Sequence, residues 1–426
     1  MTTIPLRLVP ALLPALLAAL AFAAPAAAED PRVDALIERL EKQDAEIRSL
    51  RQEVQELRES AAPVHHAEHP EYRREDGQYP VTDYDAPRIR IDIAGQVNQA
   101  FSFAADGKDA KGYFVDNDAS NSRLRFAGVS TFAEGPQVGS TLEVAFSPNN
   151  SFDVSQENER AGNFISMRRA ELWARDDRFG RVMFGHGSAA TDNVAEFDLS
   201  LVSGPIMTSG VEFIAGGLLF SDGHDFTGTR IEDAFFNFDG ERMGRVRYDS
   251  PMFGPAQLSI SAGSDQRYDA ALTFGGDYDH WSGVDLPGFT ALGGVGISRP
   301  NSGSEDYRIA GSGSLLHDAS GVSLTVSSGY DGGADGDTPY SVYGKLGWDT
   351  RLFPFGPIGF GVDYDWNENL AAEGDQSQSV GIAAVQVLEN WGIELYSQLR
   401  WYTVDTDQDP SLDDIWLGTL GTRVRF

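Results

Sequence analysis

Residues 391–404 read Trp-Gly-Ile-Glu-Leu-Tyr-Ser-Gln-Leu-Arg-Trp-Tyr-Thr-Val. On an extended chain Trp391, Ile393, Leu395, Leu399 and Trp401 share one face, and Glu394, Tyr396, Gln398, Arg400 and Tyr402 share the other. A period of two is the period of a strand. A face holding Glu and Arg, back to back with one nearly free of charge, suits water on one side and lipid on the other. Trp391 and Trp401 are ten residues apart. At roughly 3.3 Å per residue and a tilt of about 40°, that spacing is about 25 Å along the membrane normal, the height of an outer-membrane apolar band. A soluble β-sandwich alternates too, but seldom places Trp at both rims of such a band.

The pattern extends in both directions. Ile89, Ile91, Ile93, Val97, Phe101 and Phe103 oppose Arg90, Asp92, Gln96, Asn98 and Ser102. At the end of the chain Trp416, Leu420, Val424 and Phe426 oppose Thr419, Arg423 and Arg425. Alternation predicts strands at 89–103, 121–132, 137–147, 164–175, 180–187, 241–250, 256–264, 267–277, 289–298, 307–317, 322–330, 339–348, 356–366, 377–388, 391–404 and 415–426. Short turns such as Ala133-Glu134-Gly135, Asp318-Ala319-Ser320-Gly321 and Glu389-Asn390 follow even-numbered strands. Long polar segments follow the odd ones: 104–120, 148–163, 188–240, 299–306, 331–338, 367–376 and 405–414, with only the link after the seventh brief. An even strand number, short turns on one side and long loops on the other define the expectation. The fold class is all-β: a transmembrane antiparallel β-barrel of about 16 strands over 89–426.

The preceding residues carry other signals. Residues 1–28 have one charge, Arg7, an apolar run from Leu8 to Ala23, and Ala26-Ala27-Ala28 before Glu29, which is the pattern of a secretory signal peptide. Residues 29–60 read as a short parallel coiled-coil helix. Val33, Leu40, Ile47 and Val54 take the a positions, and Leu36, Gln43, Leu50 and Leu57 the d positions. The g-to-e pairs Arg39–Asp44, Glu46–Arg51 and Glu53–Arg58 are opposite in charge, favouring parallel strands in register and hence an oligomer. Residues 61–88, with Pro63, Pro70, Pro80 and Pro87, read as a linker, in which His65, His66 and His69 are expected to be solvated rather than metal-bound.

Composition excludes whole classes. Zero Cys removes disulfides, Cys-ligated zinc, iron–sulfur clusters and thiol chemistry. A net charge of −31 argues against a nucleic-acid partner. Within 89–426 the excess sits in the connections: the long segments above, with 265–266, hold 30 acidic and 5 basic residues. The strands are balanced, so the acidity says little about the lumen. Asp405, Asp407, Asp409, Asp413 and Asp414 lack the Gly and bidentate Glu of an ordered calcium loop, and no metal or cofactor is expected. His186, His224, His280 and His317 stand in no triad spacing, so no enzymatic activity is expected.

Several motifs resemble those of the Gram-negative general porins, trimeric sixteen-stranded diffusion channels. Ser122-Arg123-Leu124-Arg125-Phe126-Ala127-Gly128 looks like their second strand. Arg169-Ala170-Glu171-Leu172-Trp173 and Phe179-Gly180-Arg181-Val182-Met183-Phe184-Gly185 resemble the fourth and fifth, and Val246–Pro251 with Phe253 the hairpin after the third loop. The terminal Phe426 is similar to their assembly signal. A helical extension before the barrel resembles DcaP-type porins. The likeness implies an outer-membrane homotrimer, in contact with lipid and lipopolysaccharide, passing small hydrophilic solutes and ions. It also implies that 188–240 folds into the barrel as a constriction, setting Asp192, Glu196 and Asp198 against wall arginines. The wall candidates of water-facing parity are Arg90, Arg123, Arg125, Arg169, Arg245, Arg247 and Arg400. His186 stands where the family commonly has another Arg, which implies a weaker ladder or a pH-sensitive pore. Two alternatives stay open: a channel selective for small carboxylates or phosphate esters, and a barrel-anchored periplasmic tether.

Overall fold

A computed structural model of the protein describes residues 89–131, 136–162, 165–277, 280–299, 307–332, 337–406 and 412–426. The signal peptide, the heptads from Val33 to Leu57, the linker histidines, the Ala133–Gly135 turn, and Asp407 and Asp409 lie outside these residues.

Sixteen strands form the wall. They are β1 (Ile89–Ala105), β2 (Arg123–Thr131), β3 (Gln137–Phe146), β4 (Ile165–Asp176), β5 (Gly180–Ser188), β6 (Arg242–Asp249), β7 (Ala256–Gly263) and β8 (Tyr268–Phe274). The second half is β9 (Phe289–Arg299), β10 (Tyr307–His317), β11 (Val322–Gly332), β12 (Tyr340–Phe353), β13 (Gly356–Glu368), β14 (Gln376–Leu388), β15 (Ile393–Asp405) and β16 (Ile415–Arg425). Each pairs antiparallel with the next, and β16 pairs with β1 from Gln96↔Arg425 to Ala105↔Trp416. Closure leaves no edge, which a sheet must achieve in lipid because unpaired backbone groups find no water there.

Alternation sorts the two faces as expected. On β15, Glu394, Tyr396, Gln398, Arg400 and Tyr402 are buried inside, while Leu395 is exposed and Ile393, Leu399 and Trp401 are partly so. Val97, Phe101 and Phe103 point outward, whereas Asn98, Ala100 and Ser102 point inward. One detail differs from expectation. Trp391 is not in β15 but closes the turn Glu389–Trp391, followed by Gly392 with φ 64°. It still stands exposed at the rim, opposite in height to the Trp401–Trp416 pair, whose ring centroids are 6.4 Å apart.

The expected first loop is partly strand. Ala110–Asp116 folds back on the upper half of β1, from Gln99↔Asp116 to Ala105↔Ala110. The chain then detours inward through Asp118–Ser120 before entering β2. Asn117 donates to Pro205 O at 2.9 Å, and Gln96 Nε2 to Ser120 O at 2.8 Å.

Candidate functional site

Residues 189–241, between β5 and β6, fold into the barrel, except for the exposed tip Asp222–Asp225 of a small hairpin. Their amides and carbonyls bond to wall strands around most of its circumference. Phe197 N–H donates to Ser312 Oγ (2.8 Å) and Leu199 N–H to Ser314 Oγ (3.0 Å) on β10. Ser327 of β11 donates to Ala195 O (2.8 Å), Lys345 of β12 to Met207 O (2.7 Å), Tyr402 of β15 to Val211 O (2.8 Å), and Arg423 of β16 to Gly204 O (2.6 Å). Asp239, near the loop's end, accepts from Asn193 N–H and Ala195 N–H at 2.7 and 2.9 Å, clasping its two limbs together.

The loop also carries an apolar core of its own. Val202, Ile206, Met207, Val211, Ile214 and Phe235 are buried against Tyr343, Val385, Tyr402, Ile415 and Leu417 of the wall. A second cluster joins Val194, Ala195, Phe197 and Phe238 to Ala271, Leu292 and Ala310 of β8–β10. Each large apolar side chain fully buried here contributes roughly 1.5–3 kcal/mol toward holding the loop in place. It fills the lumen along β8–β16. The wall left facing Asp192 and Glu196 is β2–β6.

The expected site residues separate into three groups. The first gathers about the loop's two ends and the neighbouring strands. Asp192 pairs with Arg242 (3.4 Å), and Glu196 accepts from Asn237 at 3.2 Å. Burial, then the nearby Asp192, pushes the Glu196 carboxyl up to about 7, opposed by Arg242 and Arg168. Arg123 and Arg125 face inward on β2, opposite Ala145 and Glu143, and Arg169 stands opposite Glu143 on β4.

The second group faces the lumen but is sealed. Arg245 donates to Glu171 at 2.6 Å with both side chains fully buried, and Arg247 holds Asp249 (2.8 Å) and Ala189 O (2.6 Å). Arg400 pairs with Asp363, both fully buried beneath the loop. Asp198 is bound not to an arginine but to Lys345 of β12, which is fully buried. These groups anchor the loop and the wall: Arg400 and Lys345 lie beneath the loop's apolar core, whereas Arg245 and Arg247 are tied up by Ser188 O and Ala189 O where the loop leaves β5.

The third group is elsewhere. Arg90 is exposed at the short-turn end of β1, paired with Asp92 at 2.9 Å, well below Gln96, which registers with Arg123. His186 shares the parity of Val182 and Phe184, both exposed on the outer surface, and its Nε2 lies 3.2 Å from Met167 O. The lumen position beside it belongs to Gly185, opposite Glu171. A pH-sensitive imidazole in the pore is therefore not what this residue supplies.

Sequence parity missed Arg168 and Arg242, and Arg423, whose face it read correctly, was not among the wall candidates. A bulge in β4 sets both Arg168 and Arg169 opposite Glu143, and Arg168 Nε lies 2.6 Å from Glu143 Oε1. The signal was present: adjacent arginines on a lipid-bordering strand cannot take opposite faces, since one would enter lipid. Arg242 begins β6, where a strand end lets the side chain turn in. Arg423 joins Glu394 (2.6 Å), Ser120 Oγ (2.8 Å) and the loop at Gly204.

A closed sixteen-stranded barrel with an apolar outer band, its lumen crossed by a loop that sets carboxylates against guanidiniums, is an outer-membrane pore. The sequence profile of the Gram-negative porins matches residues 15–407. The chain belongs to that family of non-enzymatic channels and is an outer-membrane porin for passive diffusion of small solutes. Solved structures share the fold at low identity. The anion-selective porin from Comamonas acidovorans matches with a TM-score of 0.55 and 15% identity, over 79% of this chain and 100% of that one. OmpF of Salmonella typhi, in complex with daunomycin, gives 0.51 and 11%, over 79% and 97%. DcaP of Acinetobacter baumannii gives 0.50 and 12%, over 79% and 97%. No curated protein matches the sequence.

Proposed function

We propose that solutes pass through a slot between Asp192 and Glu196 on the loop and Arg123, Arg125, Arg168, Arg169 and Arg242 on the wall, and that the slot favours small anions. The observation that carries this reading is the packing of the loop against β8–β16, which leaves its acids turned toward the arginine-bearing strands. Opposed charges across a narrow path make a transverse field that orients dipolar solutes and raises the local concentration of counter-ions. Five guanidiniums there meet three carboxylates, Glu143, Asp192 and Glu196, and the last is only partly ionised near neutrality. Reversal potentials across planar bilayers in a KCl gradient test the sign: anion preference is expected, and cation preference refutes it.

A second reading, selectivity for small carboxylates or phosphate esters, is favoured by one observation. Arg123 reaches Asn121 Oδ1 and Ser120 Oγ only at 3.4 and 3.5 Å, so its planar fork remains suited to bidentate recognition of an oxyanion. A dicarboxylate that blocks KCl current at millimolar concentration supports it; unaffected ohmic current removes it.

The functional unit we infer is a homotrimer embedded in outer-membrane lipid and lipopolysaccharide. Residues 1–28 are removed on export, 29–60 form a coiled coil in the periplasm, and 61–88 link it to the barrel. The heptads from Val33 to Leu57 and the family membership support this. Crosslinking with and without 29–60 tests it: trimers that survive the deletion assign oligomerisation to the barrel alone.

A further inference from the structure

The connection from β8 to β9 is the longest of the described links at the short-turn end, and it does not follow the wall. The chain leaves the barrel at Gly275 (φ 91°) and returns at Gly283 (φ 79°). Between them Gly276 pairs with Trp281 in a small antiparallel hairpin. Val284–Leu286 then rejoins the sheet against Phe289–Ala291. The neck is tight. Gly275 N–H donates to Pro255 O at 2.9 Å and Gly283 N–H to Gly275 O at 2.7 Å. A Cβ on Gly275 would stand 2.7 Å from Ala291 O and 2.9 Å from Gly283 Cα, and its φ also favours glycine.

The excursion points into the lumen. The Trp281 ring lies 4.6 Å, centroid to centroid, from that of Phe197, inclined at 50°. Leu199 Cδ2 lies 3.4 Å from where a Cβ on Gly283 would be. Phe197 and Leu199 belong to the descending limb of the lumen loop and flank Asp198, the partner of Lys345. That limb therefore has supports on two sides: the β10 serines, which hold its amides, and the hairpin, which meets its side chains from the short-turn end. Glu196, one of the slot's two loop acids, immediately precedes Phe197.

We propose that Trp281 is a positioning residue of the channel: it braces Phe197 and Leu199 from the periplasmic mouth and so sets the position of Glu196 at the constriction. This rests on the reading of 188–240 as the constriction. A rigid aromatic suits the task because it supplies a large contact with few rotatable bonds. Losing it opens a gap beside Phe197, whose remaining contacts with Ala271, Leu292 and Ala310, together with the Lys345–Asp198 pair, hold the limb from the wall side alone, so the acid samples several positions.

Single-channel recording of the full-length protein in planar bilayers tests this. In W281A the steady open level is expected to give way to increased open-channel noise, and the reversal potential in a KCl gradient to move from the wild-type value. W281F is expected to restore both. F197A, which removes the contact from the other side, should reproduce W281A, and the double variant should be no worse than either single. If W281A does not assemble into heat-resistant barrels, F197A alone carries the test. Wild-type noise and reversal potential in W281A or F197A overturn the brace. E196Q, recorded in parallel, separates the two readings: if it shifts the reversal potential while W281A does not, the constriction stands and the brace falls. If neither shifts, the constriction reading falls and takes the brace with it.

Discussion

Replacing Lys345 with Met should release the descending limb of the lumen loop from the wall. The ammonium is fully buried on β12, donates to Met207 O at 2.7 Å, and forms an ion pair with the nearly buried Asp198. Met matches the volume of the stem but leaves Asp198 uncompensated and Met207 O without its donor. Removing one partner of a buried pair costs about 3–5 kcal/mol, mostly because the remaining charge stays in a poorly solvating site. At 1.4 kcal/mol per tenfold, the detached population rises by roughly two to three and a half powers of ten. Amide hydrogen exchange reads this directly. The amides of Phe197, Leu199, Leu201 and Met207 bond to Ser312, Ser314, Asp349 and Val202 O, and in local opening each exchanges in proportion to the open population. K345M should accelerate all four together and leave the amides of β12 and β13 unchanged. K345M/D198N, which removes both charges, should recover part of the protection. Exchange in K345M within about threefold of wild type, or a double variant no better protected than the single, refutes the reasoning that this pair tethers the loop.

Other consequences concern the slot. Glu196 has its carboxyl raised to about 7, so it is neutral below that pH and charged above it. Lowering the pH through 7 should move the reversal potential toward stronger anion preference, and E196Q should flatten that dependence; a pH profile unchanged in E196Q refutes the assignment. Arg242→Gln removes a positive charge beside Asp192; a unit charge about 6 Å from the ion path in a water-like dielectric is worth about 0.7 kcal/mol, with opposite sign for anion and cation, so the anion-to-cation permeability ratio should fall roughly tenfold. His186→Gln should leave the reversal potential and its pH dependence as in wild type, because the imidazole lies on the outer surface; a shifted profile would place it back in the lumen.

The barrel was legible because its physics is local. Each strand must bury nothing but its backbone hydrogen bonds and present apolar atoms to lipid, so the rule repeats at every second residue, and sixteen strands can be read one at a time. The parity of Arg123, Arg125, Arg169, Arg245, Arg247 and Arg400 came from the same rule. Where local geometry departs from strict alternation, parity failed: the β4 bulge turned Arg168 inward, and the start of β6 freed Arg242. His186 was misplaced for another reason, since a resemblance supplied its role although Val182 and Phe184 on its own strand already marked that face as outward.

Facing the lumen does not mean facing water, and no strand pattern distinguishes the two. Arg400 and Arg123 have equivalent parity, yet one is sealed with Asp363 and the other stays partly exposed. A hint lay in stretches apolar on both faces, such as Ile382–Val385 and Ile415–Leu417, since an inner apolar face needs something to cover it. By itself the sequence determined the strands, their faces and the acidic loops, because backbone satisfaction in lipid dictates them residue by residue. Only the tertiary structure decided which inward charges meet across the lumen, because that depends on how one long loop and one inward hairpin, joining residues far apart in the chain, share the space the wall encloses.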